Sequence, residues 1–431
     1  MLVIKERNFT INIKKITAVA CAVAMAAGMT ACEKSDDVVT VSETTATTAA
    51  TAALSPEEQI HYDMVQRSFV QFGNTHRIEA KLAKAASGEE MTVAYIGGSI
   101  TEGIGGGADG CYAKLSYNYI AENFGTGDNV KYVNAGISGT PSILGNLRVG
   151  RDVLDKNADI VFIEFAVNDG GDQIYKDSFE SLVRTILMQE NEPAVILLFT
   201  VTETGHTCQE HMKQVGEYYE LPMISVPDAI QPEFEAGRMV WDDYSDDGSH
   251  PNSNGHALVA EFISNWFEQL KARDAVESEY KMKPIGKFSN AYDNAFMVEA
   301  DYDNSNENIT IGETGSFTLD GRGIAGFTKG AWVYNGEGTD PLKMNIKGNS
   351  FFLVCKRNNK PEMGKFDVYI NGEKAATINT NHKDGWGDPW AFQVIKWQSV
   401  KDMEIEIVPN ADSTGKTIEI YAIACTQNSS F

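Results

Sequence analysis

Five short apolar runs alternate with stretches of helical periodicity, and this alternation constrains the fold more than any other feature. The apolar runs cover residues 93–96, 130–133, 160–165, 195–201 and 223–226. Helical periodicity is found at residues 56–87, 112–124, 141–154, 179–189, 209–219 and 254–270. Strands that are apolar on both faces are typical of a parallel sheet covered by helices on each side. The sequence therefore predicts an α/β domain around a parallel five-stranded sheet.

A second domain is expected because 431 residues are too many for one ordinary core. After a charged connector at residues 273–284, helical periodicity gives way to alternation of apolar and polar residues. Asn371-Gly372 lies between two alternating runs and is typical of a type I′ hairpin turn. We predict an α/β domain at residues 57–272, a linker at 273–284 and an all-β, jelly-roll-like sandwich at 285–431.

The amino terminus has the features of an export signal. Basic residues precede an apolar run at residues 16–29 that is too short to span a bilayer, and small residues stand just before Cys32. This arrangement resembles the lipobox of bacterial lipoproteins, in which the cysteine is lipidated. We expect a signal peptide at 1–31, a Thr/Ala-rich tether at 32–56, and an extracytoplasmic protein held at the cell membrane by acyl chains. The alternative is plain secretion with cleavage nearby.

Net charge limits the possible binding partners, and the cysteine content limits the possible disulfides. The formal net charge is −24, with 60 acidic and 36 basic residues, which argues against binding nucleic acid or anionic membrane surfaces. Apart from Cys21 and Cys32, the sequence has only four cysteines, which implies no disulfide framework. Of these, Cys355 and Cys425 can either pair or serve as buried small hydrophobes.

Ser99 is a candidate nucleophile. It follows Gly97-Gly98 directly after the first apolar run, and the carboxyl ends of strands are where open α/β sheets place their chemistry. A serine at this position is also common simply as a backbone cap. The nucleophilic role therefore depends on whether other segments supply a base, an orienting acid and oxyanion donors.

Three further segments supply those parts. His250 lies three residues after Asp247, so one turn can let the carboxylate orient the imidazole toward Ser99. Asn168 follows the third strand and Gly139 the second, so the Asn168 amide, the Gly139 N–H and the Ser99 N–H can form an oxyanion hole. Each segment alone also fits an ordinary turn. Their occurrence together, in this order, favours a Ser-His-Asp hydrolase.

These segments resemble the conserved blocks of one family, the SGNH hydrolases, also called GDSL-type esterases and lipases. The four blocks are Gly97-Gly98-Ser99-Ile100-Thr101, residues 134–139, Val167-Asn168-Asp169 and residues 247–250. Together they span about residues 60 to 270. Many members carry aspartate where Gly98 stands, so the resemblance is to the Gly-Gly-Ser-Ile-Thr subgroup, which is associated with polysaccharide deacetylases.

The resemblance implies a flavodoxin-like three-layer α/β/α fold and a serine esterase that acts through an acyl-enzyme. The order of an esterase domain followed by a β-sandwich implies a carbohydrate esterase that removes O-acetyl groups from hemicellulose such as acetylated mannan or xylan. The alternatives are an acyltransferase, a lipid or thioester hydrolase of the same fold, or a surface protein that mainly binds glycan.

Four more residues are candidates for contact with substrate. His206 follows a predicted strand end and can line the cleft, whereas Trp241 can either stack on a sugar or close the core. Trp386 and Trp390 lie in a predicted polar loop of the sandwich, where they can stack on sugar, form a lid or plug the sandwich.

We expect no cofactor and no metal. His206, Cys208 and His211 have metal-ligand chemistry at short spacing, but a helix is predicted to begin at residue 209 and a role for His206 in the cleft is favoured.

Overall fold

The computed structural model describes residues 54–275, 278–301 and 305–428. The predicted signal peptide, Cys32 and nearly all of the tether lie outside the described residues, so the predictions made for them stay predictions. Within the described ranges, no helix is both long enough and apolar enough to cross a membrane.

The first domain is built on a six-stranded mixed sheet. Its strands are β1 (Phe69–Gln71), β2 (Met91–Gly97), β3 (Val130–Gly136), β4 (Ile160–Glu164), β5 (Ala194–Phe199) and β6 (Met223–Ser225). They are ordered β1-β6-β5-β4-β2-β3. Strands β2 to β6 are parallel, which confirms the predicted five-stranded arrangement.

Strand β1 is a difference from the prediction, which placed only helices between residues 56 and 87. It pairs antiparallel with β6 at the edge of the sheet. The chain leaves this strand through Gly73, which has a φ of +60° and packs so closely that a Cβ would lie 2.2 Å from the carbonyl oxygen of Glu220. Pairing with a distant strand, rather than local periodicity, thus decides the structure of this segment.

Helices cover both faces of this sheet. They are α1 (Pro56–Arg67), α2 (His76–Ala86), α3 (Ser99–Glu102), α4 (Gly107–Gly110), α5 (Tyr112–Phe124), α6 (Ser142–Asp152), α7 (Gln173–Leu187), α8 (Gln209–Tyr218), α9 (Val226–Glu235), α10 (Trp241–Tyr244) and α11 (Ser253–Lys271). Two separate apolar clusters lie on opposite sides of the sheet, as strands with alternating side-chain directions require. The three-layer prediction is therefore confirmed. Helix α9 was not predicted from the sequence. Its N-terminus is capped by the Ser225 hydroxyl, which accepts the N–H of Asp228.

The second domain is an all-β antiparallel sheet, as predicted. Its strands are β7 (Ala295–Glu299), β8 (Ile309–Ile311), β9 (Thr318–Asp320), β10 (Ala331–Tyr334), β11 (Leu342–Asn358), β12 (Lys365–Ile370), β13 (Glu373–Asn379), β14 (Trp386–Pro409) and β15 (Ile418–Thr426). The predicted hairpin joins β12 to β13, with φ of +52° at Asn371 and +82° at Gly372. Hydrogen bonds connect all nine strands, and β-bulges in the long pair β11 and β14 let the sheet bend around its core.

The two domains share an apolar core. Helix α6 places Ile143, Leu144 and Leu147 in one buried cluster with second-domain residues that include Phe327 and Phe352. The residues of this cluster are almost fully buried. Burial of this kind is typical of the interior of one domain rather than of a loose contact between two.

Polar groups fix the connection between the domains as well. Arg184 on α7 donates to the carboxylate of Asp293 at 2.9 Å, and both side chains are completely buried. Glu180, one turn earlier, accepts the backbone N–H groups of Phe288 and Ser289 at 2.6 and 3.0 Å, and also that of Lys287. Residues 287–293, which lead into the second domain, are therefore bound to α7.

Candidate active site

Ser99, His250 and Asp247 form a continuous hydrogen-bonded chain. Ser99 is the first residue of α3, directly after β2, and its hydroxyl oxygen lies 2.9 Å from His250 Nε2. His250 Nδ1 lies 2.7 Å from Asp247 Oδ2. The other carboxylate oxygen of Asp247 accepts the backbone N–H groups of Ser249 and His250, each at 2.7 Å. One tight turn therefore carries both the acid and the base.

The electrostatics of this turn suit an orienting carboxylate. Partial burial acts to raise the pKa of Asp247, but hydrogen bonds from the backbone and imidazole of His250 and from the Ser249 N–H outweigh it and lower that pKa to about 2. Asp247 is therefore ionised at neutral pH and accepts the Nδ1–H of His250. That leaves Nε2 as the acceptor for the Ser99 hydroxyl proton.

Trp241 packs against the turn that carries Asp247 and His250. Its indole N–H donates to the backbone carbonyl of Asp247, and its ring centroid lies 5.3 Å from that of Tyr244 and 5.8 Å from that of Phe234. Ser245 donates from its hydroxyl to the same carbonyl at 2.7 Å. These contacts favour the packing alternative for Trp241 over sugar stacking.

The two glycines before Ser99 are required by close packing. A Cβ on Gly98 would lie 2.1 Å from Asn168 Oδ1, and a Cβ on Gly97 would lie 2.1 Å from Thr101 Oγ1. Real Cβ atoms do not approach other atoms so closely, so larger residues would displace the Asn168 amide.

The strand-end loops that carry Asn168 and Gly139 lie beside the nucleophile. Asn168 contacts Gly98, as described above, and the neighbouring Asp169 accepts the Ser142 N–H at 2.7 Å, which ties the two loops together. Gly139 has a φ of +71°, a conformation that favours glycine. The structure therefore brings all the predicted oxyanion-hole residues to the carboxyl ends of β2, β3 and β4.

Glu164 is a buried acid beneath the site that the sequence analysis missed. Its carboxyl accepts hydrogen bonds from the hydroxyls of Thr200 at 2.6 Å and Thr101 at 3.2 Å. Burial raises the pKa of Glu164 to about 7, although the hydroxyl donors act to lower it. The signal in the sequence was a single charged residue within the apolar run 160–166.

Arg148 is a second missed residue. It is completely buried, and its guanidinium donates to the carbonyls of Ala135 at 2.7 Å and Gly97 at 3.1 Å. It therefore joins the ends of β2 and β3 directly behind the nucleophile. The signal was an arginine between the apolar residues Leu147 and Val149 of a predicted helix.

Two of the three candidate metal ligands, His206 and Cys208, contact the same backbone oxygen. His206 Nε2 lies 3.1 Å from the backbone oxygen of Asp169, and the Cys208 thiol donates to that same oxygen at 3.1 Å. His211 is buried on α8, and burial lowers its pKa to about 4. In the described part of the chain, no cluster of three or more histidine, cysteine or acidic side chains is arranged to hold a metal ion.

The two tryptophans of the second domain differ in position. Trp386 is 59% exposed, and a Cβ on Gly139 would lie 3.1 Å from its Cζ2 atom, so its indole borders the candidate oxyanion hole. Trp390 instead has the guanidinium of Arg357 3.6 Å from its ring centroid. Both residues lie in β14, so the prediction of a loop here is wrong; pairing with β11 overrides the Gly, Asp and Pro of the local sequence.

Comparison with known proteins agrees with this geometry. Residues 95–258 match the family model described as GDSL-like Lipase/Acylhydrolase family. No curated protein sequence matches the chain. Similar solved structures include a two-domain esterase active on acetylated mannans, with a TM-score of 0.75 and 24% identity over 85% of this chain and 99% of that one.

Two other solved structures are similar to this chain. The same two-domain esterase co-crystallised with mannopentaose has a TM-score of 0.73 and 23% identity over 85% of this chain and 99% of that one. An acetylxylan esterase from Geobacillus stearothermophilus has a TM-score of 0.34 and 18% identity, and the match covers 42% of this chain and 95% of that one. Ser99, Asp247 and His250 all lie inside the family match, which leads to one conclusion: residues 95–258 form a GDSL-like lipase/acylhydrolase domain, and the protein is a carboxylic ester hydrolase.

Proposed function

We propose that this protein is a serine esterase that removes O-acetyl groups from a hemicellulose polysaccharide, with acetylated mannan as the first substrate to test. The observation that carries the proposal is the position of Trp386, an exposed indole from the second domain that borders the candidate oxyanion hole. An indole face next to a reacting ester suits a sugar ring, whose C–H groups pack on aromatic surfaces. The similarity to an esterase active on acetylated mannans supports the same substrate class.

The reaction follows from the hydrogen bonds that connect Ser99, His250 and Asp247. Ser99 Oγ attacks the acetyl carbonyl carbon while His250 Nε2 takes the hydroxyl proton, and Asp247 stabilises the imidazolium that forms. Collapse of the tetrahedral intermediate breaks the bond to the sugar oxygen, which receives the proton from His250. Water, deprotonated by His250, then attacks the acetyl-serine, and acetate leaves as Ser99 recovers its proton.

The oxyanion of each tetrahedral intermediate needs preorganised donors. We assign this role to the N–H groups of Ser99 and Gly139 and to the side-chain amide of Asn168. The buried Oδ1 of Asn168 lies against Gly98, and no group in the described ranges donates to it. In this assignment Nδ2 is the part of the amide that faces the substrate. His206, which lies on the same loop edge, is assigned to the wall of the cleft.

The experiment is acetate release from acetylated mannan, xylan and pectin by the purified protein and its Ser99→Ala variant. We expect release from mannan or xylan that is lost in the variant. If neither protein releases acetate from any polymer, yet 4-nitrophenyl acetate is cleaved only when Ser99 is present, the polysaccharide assignment is wrong and the ester hydrolase remains.

The oxyanion-hole assignment has its own test. Asn168→Ala is expected to lower kcat on 4-nitrophenyl acetate by about a hundredfold, the usual scale for one oxyanion donor. The matched control is Asn123→Ala, an exposed asparagine at the end of α5, which is expected to keep full activity. Equal kcat in the two variants would remove Asn168 from this role.

We also propose that the protein is exported and held at the cell membrane through lipidated Cys32. The support is the basic and apolar pattern of residues 1–31 and the small residues before Cys32. Fractionation of cells that express the protein or its Cys32→Ala variant tests this proposal. We expect the variant alone to leave the membrane fraction, and retention of both in that fraction would contradict it.

A further inference from the structure

The loop at residues 137–141, here called the oxyanion loop, connects β3 to α6 and carries Gly139. It has contacts on two sides. On the side of the α/β domain, Glu102 accepts the backbone N–H of Ser138 at 2.7 Å, and the Ile137 N–H donates to the Gly97 carbonyl at 3.1 Å. These bonds attach the loop to the turn that carries Ser99.

On its other side the oxyanion loop contacts the second domain. Gly326 has a φ of +73°, and a Cβ at this position would lie only 2.1 Å from Ile137 Cδ1. The backbone of the second domain therefore packs directly on Ile137, a side chain that is itself buried. Trp386, from β14, packs against Gly139 two residues later.

The helix that follows the oxyanion loop is held in the same way. Ile143, Leu144 and Leu147 of α6 are buried in the core shared with the second domain, next to Phe327. Arg151, at the end of the helix, forms an ion pair with Glu299 of the second domain at 3.2 Å. Both ends of the oxyanion loop are thus anchored, one to β3 and the other to a helix that the second domain covers.

We propose that the second domain positions the oxyanion hole, so that its contacts set kcat even for a small ester that never touches a glycan-binding surface. The proposal rests on the assignment of Gly139 made above. Oxyanion donors must be held in place before the reaction, and a displacement of about 1 Å can cost about a hundredfold in rate. Ile137 and Gly326 are positioning residues in this account, since neither touches the reacting atoms.

The test is Gly326→Ala, assayed on 4-nitrophenyl acetate in the full protein. The added methyl group must push Ile137 and the oxyanion loop away. We expect kcat to fall about tenfold or more while KM changes by less than about twofold. The matched control is Gly415→Ala, also in the second domain, where φ is +74° but a Cβ has nothing within 4 Å. It carries the same backbone cost and is expected to keep kcat.

A second variant shows whether the effect passes through Ile137. Ile137→Val removes Cδ1, the atom that the new methyl group would strike, so Gly326→Ala with Ile137→Val is expected to regain most of the lost kcat. A loss of kcat that does not arise at the contact with Ile137 would not be repaired in this way, and urea unfolding of the single and double variants shows how much of the change is a change in stability. If Gly326→Ala does not give folded protein, Phe327→Leu replaces it. This variant loosens the packing of the second domain on α6, at the other end of the oxyanion loop, and is also expected to lower kcat.

Two outcomes separate this inference from the proposed function. If Asn168→Ala loses kcat and the folded Gly326→Ala variant does not, the second domain has no part in positioning the oxyanion hole, although the proposed function stands. If Asn168→Ala keeps full kcat, Asn168 is removed from the oxyanion hole, but this inference rests on Gly139 and is still decided by the kcat of Gly326→Ala.

Discussion

Two carboxyl groups lie near the nucleophile, and their surroundings shift their pKa values in opposite directions. Asp247 lies on a largely exposed turn, where N–H donors lower its pKa to about 2. Glu164 is fully buried under the same serine, where burial raises its pKa to about 7. Asp247 reaches Ser99 through His250, and Glu164 reaches the turn of Ser99 through Thr101.

The difference shows how one chemical group serves two purposes in one site. Asp247 is held as an anion, which is what the imidazolium of the transition state needs. In the described part of the chain, the side-chain hydrogen-bond partners of Glu164 are two hydroxyls, and burial favours its protonated form. It connects β4 to α3 through Thr101 and to the residue after β5 through Thr200. Asp169 is buried as well, and burial raises its pKa to about 7, as it does that of Glu164.

The largest effect is expected from Asp247→Asn. The neutral amide cannot fix the tautomer of His250 or stabilise its charged form, so kcat is expected to fall about 10⁴-fold. Steady-state hydrolysis of 4-nitrophenyl acetate measures it, with exposed Asp242→Asn as the control on the same segment. A loss of only a few-fold in Asp247→Asn would mean that Asp247 is not the orienting acid.

Glu164→Gln is expected to change the pH dependence of stability. The folded pKa of about 7 lies above the ordinary value of 4.5, so Glu164 favours the folded state at low pH, and this contribution is lost as pH rises through about 7. For a pKa shift of this size, the free energy of unfolding that is lost between low and high pH is on the order of 3 kcal/mol.

Urea unfolding at pH 5 and pH 8 measures this contribution. The free energy of unfolding should fall less between the two pH values in Glu164→Gln than in the unsubstituted protein, because glutamine has no proton to lose. The slope that remains is assigned to Asp169 and other titrating groups. Identical slopes in the two proteins would show that Glu164 is ionised throughout this range.

The smallest effect, on the free energy of unfolding, is expected from the substitution of a carboxylate that is paired but exposed to solvent. Glu220 accepts from Lys283 at 2.9 Å with both side chains open to solvent. Glu220→Gln should change the free energy of unfolding by less than about 1 kcal/mol, because water and salt screen such pairs. Urea unfolding at pH 7 tests this expectation. A change as large as that of Glu164→Gln would mean that burial is not what separates these groups.

The strand-end chemistry was predictable because it depends on local sequence. Ser99, Asn168 and the turn of Asp247 and His250 each lie beside a glycine or a strand end, and parallel strands bring such positions to one edge. The five parallel strands were predictable for the same reason. Their apolar runs are short, continuous and separated by helical periodicity.

What the sequence did not reveal depends on contacts between distant segments. Glu164 is bound by Thr101 and Thr200, and nothing near it in the chain indicates either partner. The start of strand β14 was predicted as a loop because residues 384–390 are rich in turn formers, yet Trp386 and Trp390 pair with β11. The approach of Trp386 to Gly139 follows from the shared core and not from any local pattern.

Glu180 binds three consecutive backbone N–H groups of the segment between the domains, and the consequence concerns motion. A connector with its amides bound this way resists acting as a hinge, because the domains could swing there only after those bonds break and the buried carboxylate of Glu180 loses three of its donors. Proteases cut chains that can be pulled into their clefts, so residues 287–289 should resist digestion in the native protein. Substrate is then expected to reach Ser99 without a swing of one domain against the other.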